Sequence, residues 1–179
     1  ARSAPSLSRS TAGSPAGSPD LNDSYPIMST ATTHHQPLIG ITIGDLNGVG
    51  PEVIIRTFSD NRILEICTPV IFASAKTVNF YRKTMGEGHF NYQSIRNFEK
   101  VSPKTVNLFS CWEEEVAITP GVLNDTGGKY AARSLAVAVQ CLKDGQVEGL
   151  VTAPIHKNNI QHNDFHYTGS PPRGRRVTP

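Results

Sequence analysis

Between residues 37 and 153 the chain alternates short apolar runs with segments of helical period, and glycine or proline stands at most of the joints. Few folds accept that pattern. Apolar runs without polar alternation suit strands covered on both faces, and helices between them supply the cover. Leu38 to Ile43 predicts a buried strand ending at Gly44, and Pro51 to about Phe58 a helix. Pro51 suits a first helical position, and Val53, Ile54 and Phe58 share one expected inward face. Pro69 to Ala73 predicts a second strand, Lys76 to Met85 a helix stopped near Gly86, and Thr105 to Phe109 a third strand. From Lys129 to Lys143, Ala132, Leu135, Val139 and Leu142 recur at helical spacing, with Gly145 as the stop. Gly149 to Ala153 then predicts another buried strand, ended by Pro154. The expected class is α/β, a doubly wound and largely parallel sheet between helix layers.

The two ends differ from this middle. Residues 1–27 are dominated by Ser, Pro, Ala and Gly and show no hydrophobic period. Such a segment buries too little apolar surface to offset its ordering entropy. A disordered leader is expected over residues 1–36, with Met28 as the natural start, and a partial α/β region over 37–169. From residue 170 the run Ser170-Pro171-Pro172-Arg173-Gly174-Arg175-Arg176 fits neither strand nor helix, so 170–179 reads as an aberrant, disordered tail.

Charge excludes little but steers away from nucleic acid. The formal net charge is +2, and Arg173, Arg175 and Arg176 alone exceed it. No apolar run is long enough to span a bilayer, so no membrane partner is expected. Cys67, Cys111 and Cys141 are widely spaced and form no CxxC pair, which predicts reduced, mostly buried thiols in a cytoplasmic protein.

Two constellations carry chemistry. The first is Gly44-Asp45-Leu46-Asn47-Gly48-Val49-Gly50-Pro51-Glu52, between a strand and a helix. Gly44, Gly48 and Gly50 let a backbone turn sharply and present N–H groups to an anion at a helix start. The same glycines suit a tight structural turn, and spacing leaves both readings open. The pattern matches neither the dinucleotide fingerprint nor a P-loop. The second is Thr152-Ala153-Pro154-Ile155-His156-Lys157 at a strand's carboxyl end, where open α/β sheets collect ligands. Thr152 offers a hydroxyl and Lys157 a positive charge for phosphate or carboxylate. A solvated Lys157 and a surface His156 explain the spacing equally well. His156, His162 and His166 do not match a compact zinc spacing, so no metal site is assigned to them, and Glu113-Glu114-Glu115 reads as a solvated turn.

Taken together, these two motifs, with Asn124-Asp125-Thr126-Gly127-Gly128-Lys129-Tyr130 between them, resemble the 4-hydroxythreonine-4-phosphate dehydrogenase family over about residues 37–169. The resemblance implies a two-domain fold related to isopropylmalate dehydrogenase and a homodimer in the full-length parent. It also implies NAD(P) and a divalent metal held by histidines. The implied reaction oxidises and decarboxylates 4-phosphooxy-L-threonine in pyridoxal phosphate biosynthesis. On this basis Asp45, Asn47, Thr152, His156, Lys157 and Thr168 are candidate substrate contacts, with Gly44, Gly48 and Gly50 as a backbone anion loop. Leu46 and Asn47 replace the usual Pro and Ala. After Thr168-Gly169 the family's His-Thr-Glu is replaced by Ser170, Pro171 and Pro172, and the implied metal histidines lie further on. The chain is therefore expected to be an inactive fragment, with no catalytic residue or metal ligand assigned. The alternatives are a threonate or erythronate 4-phosphate dehydrogenase paralogue, and a non-catalytic module that binds a phosphorylated ligand.

Overall fold

The structure, a computed structural model, describes residues 35–157 and 159–160. The leader through residue 34 with Met28, and the candidates His162, His166, Thr168 and the 170–179 tail, lie outside the described residues. Gln36, expected in the leader, is bound to the fold: its amide nitrogen donates to the carbonyls of Leu64 and Glu65.

Strands β1 (Leu38–Thr42), β2 (Thr68–Ala73), β3 (Gln93–Ile95), β4 (Asn107–Ser110) and β5 (Gly149–Thr152) form one parallel sheet in the order β3-β4-β2-β1-β5. Helices α1 (Gly50–Phe58), α2 (Ala75–Met85) and α3 (Asp125–Lys143) connect them. The crossover through α1 steps from β1 to β2, and the one through α3 steps the opposite way, from β4 past β2 and β1 to β5. Right-handed crossovers then place α1 and α3 on opposite faces of the sheet. The expected doubly wound α/β class is what the chain adopts.

The core lies on β2, where Val70, Ile71, Phe72 and Ala73 are fully buried. Phe72, Phe98 and Phe109 form an aromatic cluster with centroids 5.3 to 6.5 Å apart. Helix α3 presents small residues to the sheet: Ser134, Ala138 and Cys141 are buried. The Ser134 hydroxyl accepts from the Ile43 N–H at 3.1 Å and donates to the Phe72 carbonyl at 2.6 Å, pinning the end of β1 to β2.

Several expectations need correction. The inward stripe of α3 runs through Tyr130, Ser134, Ala138 and Cys141, one residue around from the large apolar side chains. Small side chains allow the close approach, so Leu142 is left partly exposed at the flank. On α1, Ile54, Ile55 and Phe58 face inward, whereas Val53 is 52% exposed. Strand β5 is the sheet's edge among the described residues, and its Val151 is 55% exposed rather than buried. Strand β3 and the short 3-10 turns at Asn61–Glu65 and Phe98–Lys100 carried no recognisable period.

Helix α3 starts at Asp125, ahead of the expected Lys129, because Asn124 caps it by accepting the Gly127 N–H at 2.8 Å. Helix α2 begins under a Ser74 cap and ends at Gly86, whose φ of 69° provides the left-handed stop.

Candidate ligand cleft at the sheet's switch point

Strands β1 and β5 are neighbours whose outgoing loops diverge. After β1 the chain turns onto α1. After β5 it turns over the opposite face, where Ile155 and Ile160 pack on Ala131, Ala132 and Leu135 of α3. Such a divergence opens a crevice beyond the strands' carboxyl ends, the usual ligand position in an open α/β sheet.

The two motifs meet in that crevice. The Asp45 N–H donates to the Pro154 carbonyl at 3.0 Å. Gly44 permits this contact: its φ is +74°, and a Cβ there would stand 2.5 Å from the Pro154 oxygen. A Cβ on Gly50 would stand 2.6 Å from the Ile43 carbonyl oxygen. The Gly48 N–H donates to the Asp45 carbonyl at 3.0 Å. Two of the three glycines are thus required for close backbone packing, and the third spends its N–H within the turn.

Asp45 and Asn47 are both buried. One Asp45 carboxylate oxygen accepts the Asn47 N–H at 2.9 Å, and the other accepts the Asn159 amide at 3.3 Å. The Asn47 side chain donates to Asn124 Oδ1 at 2.9 Å and accepts the Thr119 N–H at 2.8 Å. Asn159 also donates to the Asn124 carbonyl at 2.7 Å. This network joins the glycine turn, the segment before α3 and the loop after β5. A Cβ on Gly127 would collide with the Asp45 carboxylate. Below the turn, the buried Tyr81 hydroxyl donates to the Leu46 carbonyl. Burial first, and the negative charges of Glu52 and Asp45 second, push this phenol up to about 12, so it stays a donor.

Above the network lies a cleft of about 320 Å³ lined by Asp45, Asn47, Gly48, Val49, Gly121, Val122, Leu123, Pro154, Ile155 and His156. The candidates therefore divide. Asp45, Asn47, Gly48 and His156 line the cleft. Thr152 instead lines an apolar groove of about 340 Å³ between β5 and α1, with Ile41, Val53 and Phe58. Pro154 borders both cavities. Lys157 is exposed one residue beyond the lining. Asn124, Asn159, Thr119, Gly127 and Gly128 were not anticipated as site residues. Asn124 was legible as a helix-capping residue; Asn159 carries no local signal. Among the described residues no three His, Cys, Asp or Glu side chains converge to hold a metal ion.

The sheet, its switch-point crevice and the two joined turns define the class: a doubly wound α/β protein with a candidate ligand cleft beyond β1 and β5. Comparison makes this specific. The family model for the pyridoxal phosphate biosynthetic protein PdxA matches residues 65–172. A 4-hydroxythreonine-4-phosphate dehydrogenase of Bacteroides thetaiotaomicron is 36% identical over 131 residues, covering 73% of this chain and 36% of that protein. A provisionally named D-threonate 4-phosphate dehydrogenase of Clostridium botulinum is 27% identical, covering 76% and 41%. The crystal structure of a 4-hydroxythreonine-4-phosphate dehydrogenase from Burkholderia phymatum superposes with a TM-score of 0.65 at 23% identity, over 76% of this chain and 42% of that one, and shares the fold. The chain belongs to the PdxA family, and it spans about two-fifths or less of the length of these relatives.

Proposed function

We propose that this chain forms the glycine-turn side of the substrate cleft in a dehydrogenase that oxidises 4-phosphooxy-L-threonine, in the route to pyridoxal phosphate. The observation that carries the reading is the hydrogen bond from the Asp45 N–H to the Pro154 carbonyl, which makes the two family motifs one cleft floor. Family membership and the 36% identical relative support the substrate class, a phosphorylated hydroxy acid. In this reading Asp45 and Asn47 shape the floor through their buried bonds. His156 and Lys157, on the exposed loop after β5, meet the anionic end of the substrate.

A nicotinamide cofactor and a divalent metal belong to the proposed activity of the whole enzyme. The described residues do not fit a metal site of their own, and the glycine turn is not a dinucleotide fingerprint. No step through either group is assigned to them. The 179 residues alone are accordingly expected to bind without turnover, and homodimerisation is proposed for the longer parent. The second reading, D-threonate 4-phosphate as substrate, is favoured by more distant relatives, at 27% and 24% identity.

Calorimetric titration tests the proposal. The chain is titrated with 4-phosphooxy-L-threonine, D-threonate 4-phosphate, unphosphorylated 4-hydroxythreonine and inorganic phosphate. Binding of 4-phosphooxy-L-threonine that weakens without the phosphate is expected. A preference for the threonate ester selects the second reading, and no binding of either ester refutes both. NAD reduction by the chain alone with a divalent metal would overturn the assignment of binding without turnover.

A further inference from the structure

The long loop 111–124 between β4 and α3 contributes Gly121, Val122 and Leu123 to the cleft. Val122 and Leu123 are about half exposed, so packing does little to hold them. The early part of the loop has an anchor at Glu114, which accepts from the Tyr130 hydroxyl at 3.0 Å and from Arg133 at 2.7 Å. The final residue, Asn124, is fixed as the cap of α3. Between these anchors, Val116 and Ile118 rest on the core. Only Asn47 ties residues 116–123 to the rest of the described chain by hydrogen bonds. Its side-chain oxygen accepts the Thr119 N–H at 2.8 Å, and its carbonyl accepts the Gly121 N–H at 2.7 Å. Its amide nitrogen meanwhile donates to the Asn124 cap.

We infer that Asn47 is a latch, a positioning residue that holds the 119–123 wall against the glycine turn and so sets the width of the cleft. The side chain suits the role because one amide group has both an acceptor for the wall and a donor for the cap. Alanine lacks both. A carboxylate keeps the acceptor and loses the donor. The wall in turn brings Val122 and Leu123 into the cleft lining shared with Pro154, Ile155 and His156. A latched wall limits the cleft to small extended ligands and lowers the ordering cost of closing on one. The link to ligand affinity rests on the function proposed above; the latch itself does not.

Amide hydrogen exchange on the intact chain reads the latch directly. In Asn47→Ala the Thr119 amide is expected to exchange about tenfold faster, the loss of one ordinary hydrogen bond. Val70 and Leu108 in the core serve as references. Asn47→Asp is expected to keep Thr119 protected, because its carboxylate still accepts that N–H. Thr119 exchange that is unchanged in Asn47→Ala, or accelerated no more than Val70 and Leu108, overturns the latch. A parallel titration with 4-phosphooxy-L-threonine is expected to show about tenfold weaker binding in Asn47→Ala. If the wild-type chain binds none while Thr119 still responds, the latch stands and the proposed substrate falls. Unchanged affinity in Asn47→Ala removes the wall from ligand binding.

Discussion

A side chain on Gly128 of α3 would run into the carbonyl oxygen of Asn159, on the loop after β5. The obstacle is backbone, which cannot swing aside as a flexible side chain would. Gly128 lies in the first turn of α3, where alanine ordinarily stabilises a helix by about 0.5–1 kcal/mol. Here the sign should reverse. Gly128→Ala is expected to destabilise the fold by about 2 kcal/mol, as the backbone at Asn159 is pushed off the helix. Urea denaturation decides it, and any gain in stability would show that the loop does not sit on α3.

Ser134 offers a second test of what holds the cleft floor. Its hydroxyl is the acceptor for the Ile43 N–H and is fully buried. Ser134→Ala removes that acceptor where water has no access, at a cost of about 1–3 kcal/mol. Ser134→Cys, close in size and a weak acceptor, should recover part of the loss. The measurement is again the denaturation midpoint. An Ala variant as stable as the parent would mean the Ile43 N–H finds another partner.

The thiols give a prediction in pH. Burial, with a smaller contribution from nearby Cys141, pushes the Cys111 thiol up to about 12, against an ordinary value of 9.0. Between those values the unfolded chain releases this proton and the native chain keeps it. The stabilising contribution is therefore complete below pH 9 and is lost as pH rises towards 12, at no more than about 1.4 kcal/mol per pH unit. The Cys111→Ala variant should lose stability less steeply than the parent between pH 8.5 and about 10. In native labelling with iodoacetamide, the half-buried Cys67 should react before the buried Cys111 and Cys141.

How much of this was legible in the sequence follows from the range of the forces involved. Pro51, Gly86 and Gly145 act through their own backbone angles, so helix ends near them could be read locally. The lean of α3 could not. Its apolar period points to Leu135 and Leu142, but the buried stripe runs through Tyr130, Ser134, Ala138 and Cys141. Gly127 and Gly128 carry no local helix signal, and their close approach to Asp45 and Asn159 accounts for them inside α3. In the cleft, the motif spacing located both turns. It gave no sign that Asp45 and Asn47 would use their side chains on Asn159, Asn124 and Thr119, partners 70 or more residues away. Thr152 shows a related limit: its position at a strand end was readable, but its place in the lining of the β5–α1 groove was not.

That last cavity carries the remaining prediction. The groove between β5 and α1 is lined almost wholly by apolar side chains, and Val53 and Val151 on its rim are each more than half exposed. Beside it, β5 is the edge of the sheet among the described residues, with one flank paired to β1. An apolar edge strand next to an apolar groove favours self-association of the isolated chain. A charge at Val151 opposes it on both counts, since a lysine there meets like charge from a second copy and makes stripping water from the edge costly. The side chain faces outward, so Val151→Lys should leave the denaturation midpoint nearly unchanged. Sedimentation velocity across a concentration series is the measurement. The parent is expected to show mass-dependent association and Val151→Lys a predominantly monomeric boundary. If both sediment alike, association does not run through this edge.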